Sequence, residues 1–267
     1  MRKKFTKGIN NMVVKVGTSV LTRTGRFDKK IILSLSSQIA CLLKKGIKIS
    51  VVSSGAIGAG MTTLNLKKRP ETMQGLQAAA AVGQRYLMQC YEEAFSRRGY
   101  STAQVLLTRD DLAVSKRALN AQRTLRQIQD WGLVPIINEN DTVATDEIRF
   151  GDNDRLSGLL AVSIKADCLV ILQDVGGLYT DGQTSVKSQR IRFVKKIDQS
   201  HFSHVKENRN RFTVGGMGSK LKAVKDSVDK GIRVFIAGGR EKNILLKIFE
   251  GKDVGTFFMP KKRKAKG

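Results

Sequence analysis

The stretch Val134-Pro135-Ile136-Ile137-Asn138-Glu139-Asn140-Asp141 passes directly from apolar residues to acidic and amide residues. Its first four residues are typical of a buried strand. The polar residues that follow should lie at the carboxyl end of that strand, where open α/β sheets bind their ligands. A second cluster, Gly151-Asp152-Asn153-Asp154, precedes an apolar helical pattern. We predict that the two clusters converge on one ligand site.

Asp and Asn also occur in loops and at helix N-caps for purely structural reasons. Asp152, Asn153 or Asp154 can cap the helix that follows, and this alone would explain the second cluster. The chain has only 23 acidic residues against 48 basic ones. Two acidic and amide clusters at one sheet edge in such a chain favour ligand binding over a structural role.

Apolar runs of strand type alternate with amphipathic helical patterns along the whole chain. The runs include Met12–Val16, Ile47–Val52, Ala103–Leu107, Cys168–Leu172 and Val234–Ile236. Such an alternation is typical of a parallel sheet covered by helices. We therefore predict an α/β fold, a three-layer α/β/α sandwich with a mainly parallel central sheet. We also expect a long helix from Met73 to Arg97, and we place the lone Trp131 in the core.

Three stretches of small residues could bind phosphate or another anion. Lys15 precedes the turn Gly17-Thr18-Ser19, and Ser53-Ser54-Gly55-Ala56 follows the second predicted strand. The third stretch, Thr213 to Lys220, leads into a helix, so that its glycine amides and Lys220 would meet at a helix N-terminus. It is not a Walker A loop, because Ser precedes Lys. A flexible glycine linker is the alternative reading.

The net charge of +25 and the sequence pI of about 10.3 favour anionic partners, but do not distinguish nucleotides, nucleic acid or a membrane surface. The basic residues are dispersed, and no RNA-binding or zinc-finger pattern accompanies them. Cys41, Cys90 and Cys168 are far apart in apolar contexts, so we predict three buried thiols in a reducing compartment. We expect no metal site in the protein and no membrane span.

With these pieces in order, the chain resembles the amino-acid kinase superfamily and, within it, the glutamate 5-kinases. Four motifs carry the resemblance: Val14-Lys15-Val16-Gly17-Thr18-Ser19, Ser53-Ser54-Gly55-Ala56, the paired acidic and amide clusters, and Gly215-Gly216-Met217-Gly218-Ser219-Lys220. The resemblance implies a kinase domain over residues 1–259, followed by a basic tail at 260–267. Because the chain ends there, we expect the form that lacks the C-terminal PUA domain.

The resemblance implies transfer of the γ-phosphoryl group of ATP, with Mg²⁺, to the side-chain carboxylate of L-glutamate, the first step of proline biosynthesis. It implies a cytoplasmic enzyme, a homo-oligomer, and γ-glutamyl phosphate reductase as a partner that takes the product. It assigns catalysis to Lys15, Lys220 and Asp154, with Asp154 orienting both lysines. It assigns glutamate binding to Ser54, Asn138, Asp141 and Asn153. It assigns nucleotide binding to Lys15, Gln173, Asp174, Val214, Gly215, Gly216, Met217, Gly218, Ser219 and Lys220, although Gln173 stands where the family usually has Thr.

The chemistry of these residues also fits this reaction without reference to the family. Phosphoryl transfer to a carboxylate needs alignment and charge neutralisation but no protein nucleophile. Two alternatives remain open. One is a sister enzyme that phosphorylates acetylglutamate, aspartate, carbamate or a nucleoside monophosphate. The other is a nucleic-acid-binding protein, which only the positive charge supports. We expect no specific binding of nucleic acid.

Overall fold

The computed structural model describes residues 2–23, 26–144, 153–180, 188–198 and 217–261. A short 3-10 helix at Arg2–Phe5 precedes the sheet. The strands are β1 (Asn11–Val16), β2 (Thr22–Arg23), β3 (Arg26–Phe27), β4 (Lys48–Ser53), β5 (Thr102–Leu107), β6 (Val134–Glu139), β7 (Cys168–Gln173), β8 (Phe193–Val194), β9 (Arg233–Gly238) and β10 (Thr256–Phe258). The helices are α1 (Thr18–Leu21), α2 (Lys29–Leu43), α3 (Ala56–Thr63), α4 (Met73–Ser96), α5 (Arg109–Ala113), α6 (Ser115–Asp130), α7 (Asn153–Ser163), α8 (Met217–Asp229) and α9 (Ile244–Phe249).

Eight strands form one sheet in the order β5-β6-β4-β1-β7-β9-β10-β8. The six strands from β5 to β9 in this order pair in parallel, and β10 pairs antiparallel with β9. Strands β2 and β3 form a separate antiparallel pair. The mainly parallel sheet that the sequence pattern predicts is therefore confirmed.

Two apolar clusters cover the two faces of the sheet. Val14 packs in the cluster that contains residues of α2, α4 and α9. Val13 packs in the opposite cluster, with residues of α5, α6, α7 and α8. This arrangement is the predicted three-layer sandwich. Because successive side chains of a strand point to opposite faces, Lys15 lies on the same face as Val13, towards α7 and α8.

The observed elements differ from the predicted ones at a few positions. Strand β6 continues two residues beyond Ile137, because Asn138 and Glu139 are buried and remain in the ladder with β5. Trp131 is wrong as a core residue, since its side chain is 70% exposed just after the end of α6. Cys41 is exposed on α2, whereas Cys90 and Cys168 are buried as predicted.

Two glycines allow α3 and α4 to pack with their backbones in contact. A Cβ atom at Gly60 would lie 1.8 Å from the carbonyl oxygen of Ala79, and one at Gly83 would lie 1.8 Å from that of Ala56. Neither position can hold a larger residue unless one helix moves. Helix α3 itself begins after Gly55, whose φ of 99° lies in the left-handed region that favours glycine. The glycines thus fix α4 against the start of α3.

We expect Gly83→Ala to lower the free energy of unfolding by at least about 1–3 kcal/mol, because the added methyl group would overlap the backbone of α3. Gly218→Ala is the matched control, since Gly218 is also helical but a methyl group there would have no atom within 4 Å. Urea unfolding of both variants measures the difference. An unchanged midpoint for Gly83→Ala would show that the two helices can separate at little cost.

Candidate active site

Four neighbouring strands end at one edge of the sheet and bring the predicted site residues together. In the order β6-β4-β1-β7, these strands end at Glu139, Ser53, Val16 and Gln173. Backbone hydrogen bonds tie the strand ends to each other. The Ser54 N–H donates to the Val16 carbonyl at 3.0 Å, and the Gly17 N–H donates to the Leu172 carbonyl at 3.1 Å.

An ion-pair cluster lies at the centre of this edge. The Asp154 carboxylate lies 2.6 Å from the Lys15 ammonium and 3.1 Å from the Lys220 ammonium. Lys15 is close to the end of β1, Asp154 is in the first turn of α7, and Lys220 is in the first turn of α8. The side chain of Asp154 is only 1% exposed. Three separate elements therefore meet at one buried carboxylate.

The electrostatics of this cluster keep Asp154 ionised. Burial by itself raises the pKa of a carboxyl group, but the charges and hydrogen bonds of Lys15 and Lys220 outweigh burial and lower the pKa of Asp154 to about 2. The three groups together carry one excess positive charge. A buried cluster of this composition favours an anionic ligand. At Gly17, a Cβ atom would lie 3.6 Å from the Lys15 ammonium, so the small residue leaves space beside it.

A chain of side-chain amides lies beside the ion-pair cluster. The Asn153 amide nitrogen donates to the Ser53 carbonyl at 2.7 Å, to the Ser54 hydroxyl at 3.3 Å and to the Asn138 Oδ1 atom at 2.7 Å. The Asn138 amide nitrogen donates in turn to the Oε1 atom of Gln84 at 2.9 Å. The predicted site residues Ser54, Asn138 and Asn153 are therefore in contact, next to Asp154.

Sequence reasoning missed Gln84, which lies on α4 and belongs to this amide chain. Its position in the sequence carried a signal, because Leu76, Ala80, Gly83 and Leu87 form a buried helical stripe that includes it. A polar residue within an apolar stripe needs hydrogen-bond partners when it is buried. This rule would have marked Gln84 as a candidate.

Asp141 lies in the turn after β6 and is half-buried. Burial raises the pKa of its carboxyl group to about 6, and the positive charge of Arg69 acts against this rise. Arg69 belongs to the segment between α3 and α4, and sequence reasoning missed it as well. Partial desolvation of its guanidinium lowers the pKa of Arg69, and the negative charge of Asp141 acts against this fall. The turn thus holds an acid that changes charge close to neutral pH.

The predicted nucleotide residues fall into three groups. Gln173 ends β7, and its amide nitrogen donates to the Val175 and Gly177 carbonyls at 3.3 and 3.1 Å, while Asp174 is exposed beyond it. Met217, Gly218, Ser219 and Lys220 form the first turn of α8. Val214, Gly215 and Gly216 lie outside the described residues, as do Gly151 and Asp152. Gln173 therefore stabilises the loop that follows its own strand.

Two features are absent from the part of the chain that the structure describes. No group of three or more His, Cys, Asp or Glu side chains is close enough to hold a metal ion in this part of the chain. Among the helices that the structure describes, none has the length and apolar character to cross a bilayer.

Known proteins match this chain in sequence over most of its length. The sequence model of the amino acid kinase family matches residues 10–238. A glutamate 5-kinase of Clostridium acetobutylicum is 40% identical over 265 residues, which cover 98% of this chain and 99% of the relative. A glutamate 5-kinase of Thermoanaerobacter sp. is 44% identical over 254 residues, which cover 94% of this chain and 68% of the relative.

Among solved structures, carbamate kinase from Giardia lamblia bound to AMP-PNP superimposes with a TM-score of 0.62. The alignment covers 96% of this chain and all of the other chain, at 16% sequence identity. At this low identity the similarity shows a shared fold, and the sequence relatives carry the closer assignment. The chain belongs to the amino acid kinase family and, within it, to the glutamate 5-kinases.

Proposed function

We propose that the chain transfers the γ-phosphoryl group of ATP to the side-chain carboxylate of L-glutamate and so makes γ-glutamyl phosphate, the first intermediate of proline biosynthesis. The observation that carries the proposal is the buried Asp154 carboxylate between Lys15 and Lys220, next in sequence to Asn153, where the amide chain begins. Cationic groups held in place suit a transferring phosphoryl group, and neutral amides suit a substrate with two carboxylates.

The proposed reaction needs no nucleophile from the protein. An oxygen of the glutamate γ-carboxylate attacks the γ-phosphorus of ATP, while the bond from this phosphorus to the oxygen of the leaving ADP breaks. Lys15 and Lys220 neutralise charge on the phosphoryl oxygens, and Asp154 holds both ammonium groups in position. Proximity and electrostatic stabilisation together supply the catalysis.

We propose that Ser54, Asn138 and Asn153 bind glutamate through their hydroxyl and amide groups, and that Asp141 binds its ammonium group. The first turn of α8, with Met217, Gly218 and Ser219, would hold the nucleotide phosphates next to Lys220. Val214, Gly215 and Gly216 precede this turn in the sequence. Gln173, which ends β7, and Asp174, which follows it, would also contact the nucleotide. A helix N-terminus of this kind is suited to phosphate binding because its amides point outward.

Mg²⁺ bound together with ATP fits the proposed phosphate site at the first turn of α8. It binds oxygen ligands, retains several waters, and is commonly held through substrate phosphates with one or two carboxylates. The phosphates next to the first turn of α8 would supply most of its ligands, and the exposed Asp174, which follows β7, would supply a carboxylate. When bound, Mg²⁺ neutralises phosphate charge.

We further propose that the enzyme works in the cytoplasm, acts as a homo-oligomer, and passes its labile product to γ-glutamyl phosphate reductase. All three cysteines of the chain are free thiols, which fits a reducing compartment. The acyl phosphate is prone to hydrolysis, so a reductase that takes it rapidly would protect the product. Size measurement in solution tests the assembly state.

The substrate assignment is tested by incubating the chain with ATP, Mg²⁺ and hydroxylamine, which traps an acyl phosphate as its hydroxamate. We expect hydroxamate with L-glutamate and far less with acetylglutamate or aspartate. ADP release is measured in parallel, because it also detects carbamate or nucleoside monophosphate as acceptor. Faster ADP release with any of these acceptors than with glutamate would refute the assignment in favour of a sister enzyme.

We expect Lys220→Ala to lower kcat by about 10²–10³, because it removes one preorganised cation from the transition state. The glutamate KM should change little. Lys222→Ala is the matched control, since Lys222 lies two residues further along α8 and is exposed. A loss of activity in both variants alike would point to a general effect of charge on the protein.

Asp154→Asn keeps the shape of the side chain and removes its charge, so it should also lower kcat. Its proposed role is to hold the two lysines in position. When Lys15→Ala and Lys220→Ala are already present, adding Asp154→Asn should therefore lower kcat much less than the separate effects of the three substitutions predict. The measurement is a multiple-mutant cycle on kcat. Full additivity would mean that Asp154 acts independently of both lysines.

The raised pKa of Asp141 predicts a pH dependence of glutamate binding. Below its pKa of about 6, Asp141 is protonated and no longer carries the charge proposed for the substrate ammonium. The glutamate KM should then rise by about tenfold for each pH unit below this pKa and stay constant above it. Asp141→Asn should show a high glutamate KM without this dependence. Matching pH profiles for the variant and the unmodified enzyme would exclude Asp141 as the ammonium ligand.

A further inference from the structure

The amide of Gln84 is the end of the hydrogen-bonded chain that begins at Asn153. Its side chain is buried, with the residue only 9% exposed. The Oε1 atom accepts from Asn138, whereas the Nε2 atom is buried and has no hydrogen-bond partner within the part of the chain that the structure describes. Buried donors without a partner are rare in native proteins, and each one calls for an explanation.

Backbone groups at the start of the chain fix which atom of each amide donates. The Ser53 carbonyl can only accept, so the atom of Asn153 that contacts it is the nitrogen. The Glu139 backbone N–H donates to Asn138 at 2.9 Å, so the atom that accepts there is Oδ1. The Asn138 nitrogen is therefore the donor to Gln84. It follows that Gln84 accepts through Oε1 and presents Nε2, with two N–H groups, as its remaining end.

The position of Gln84 is set by the fold. Gly83, the preceding residue, is the point where α4 touches the start of α3. Gln77 lies two helical turns earlier on the same face of α4, and its amide nitrogen donates to the Ala144 carbonyl at 3.2 Å. This face of α4 therefore lies over the segment from Asn138 to Ala144, which contains Asp141. Gln84 is part of one wall of the proposed glutamate pocket.

The order of contacts places Gln84 at the end of the pocket remote from phosphoryl transfer. Asp154 contacts both lysines, Asn153 is its neighbour in sequence, Asn138 follows, and Gln84 comes last. The γ-carboxylate of glutamate must lie at the lysine end in order to receive the phosphoryl group. The opposite end of the pocket then receives the α-carbon with its substituents.

We propose that Gln84 is a substrate-binding residue whose Nε2 atom donates hydrogen bonds to the α-carboxylate of the amino-acid substrate. The identity of this substrate rests on the proposed function. A carboxylate satisfies the buried donor with a charge-assisted hydrogen bond, which is stronger than one between neutral groups. Gln84 thereby adds a substrate contact from helix α4 to the contacts that residues at the strand ends make.

Three variants separate this role from a structural one. Gln84→Met has a similar size and removes both the donor and the acceptor. Gln84→Glu keeps an acceptor for Asn138 and replaces the donor by an oxygen. Gln77→Met is the matched control, because it removes an amide from the same face of α4 that is bonded to Ala144 rather than to Asn138.

Steady-state kinetics on the full chain gives the KM values for glutamate and ATP. The rise in Tm on adding glutamate reports binding without turnover. We expect both Gln84 variants to raise the glutamate KM by roughly 10- to 100-fold, as for a lost hydrogen bond to a charged group. The ATP KM should not change, and the glutamate-induced rise in Tm should shrink. Gln77→Met should retain the glutamate KM of the unmodified enzyme.

If Gln84 serves only to hold Asn138, Gln84→Glu will bind glutamate like the unmodified enzyme, and this result would overturn the inference. An unchanged glutamate KM in Gln84→Met would overturn it as well. Failure of the proposed function gives a different pattern, in which the unmodified chain neither turns over glutamate nor gains Tm from it. In that case the assignment of glutamate as the ligand of Gln84 falls with the function.

Discussion

The Asp154 carboxylate and its two lysine partners are the interaction on which the rest of the structure depends. Removing one partner from a buried ion pair leaves an uncompensated charge, which typically costs about 3–5 kcal/mol. Lys15 comes from the central strand β1, whereas Asp154 and Lys220 lie in the first turns of α7 and α8, two helices on the same face of the sheet. The positions of α7 and α8 are therefore coupled to the chemistry of the site. A change that separates these elements would affect stability and catalysis together.

Two aspartates of the site show how one residue type serves two electrostatic purposes. Both are desolvated, and burial alone would raise the pKa of each. For Asp154, two ammonium groups in contact reverse the effect and keep the carboxylate charged. For Asp141, a single guanidinium opposes burial only in part, so its pKa stays raised. The proposed phosphoryl end of the pocket thus keeps a constant charge, while the proposed ammonium end is sensitive to pH.

Much of the fold and part of the site could be predicted from the sequence. The apolar runs predicted the six parallel strands from β5 to β9 in the sheet order, and the strand ends predicted Lys15, Ser54 and Asn138 as candidate site residues because parallel strands present their carboxyl ends at one edge. The extension of β6 could not be predicted, since pairing with β5 rather than an apolar pattern keeps Asn138 and Glu139 in the sheet. The buried stripe of α4 marks Gln84 as a polar residue that needs a partner, but no local pattern shows that this partner is Asn138, 54 positions away. The exposure of Trp131 likewise depends on packing at the end of α6.

The glycine contact between α3 and α4 has a consequence for the choice of substrate. Because backbone touches backbone at Gly60 and Gly83, α4 cannot move closer to α3, and this contact fixes the position of Gln84 relative to the start of α3. If Gln84 and the lysines form the two ends of the glutamate pocket, as proposed, this packing would limit how far the length of the pocket can change. An amino acid that is one methylene shorter can reach one end or the other, but not both, and a missing methylene alone typically costs about 1–3 kcal/mol in discrimination. Gly60 and Gly83, which each have a hydrogen atom in place of a side chain, would then help to determine which amino acid is phosphorylated.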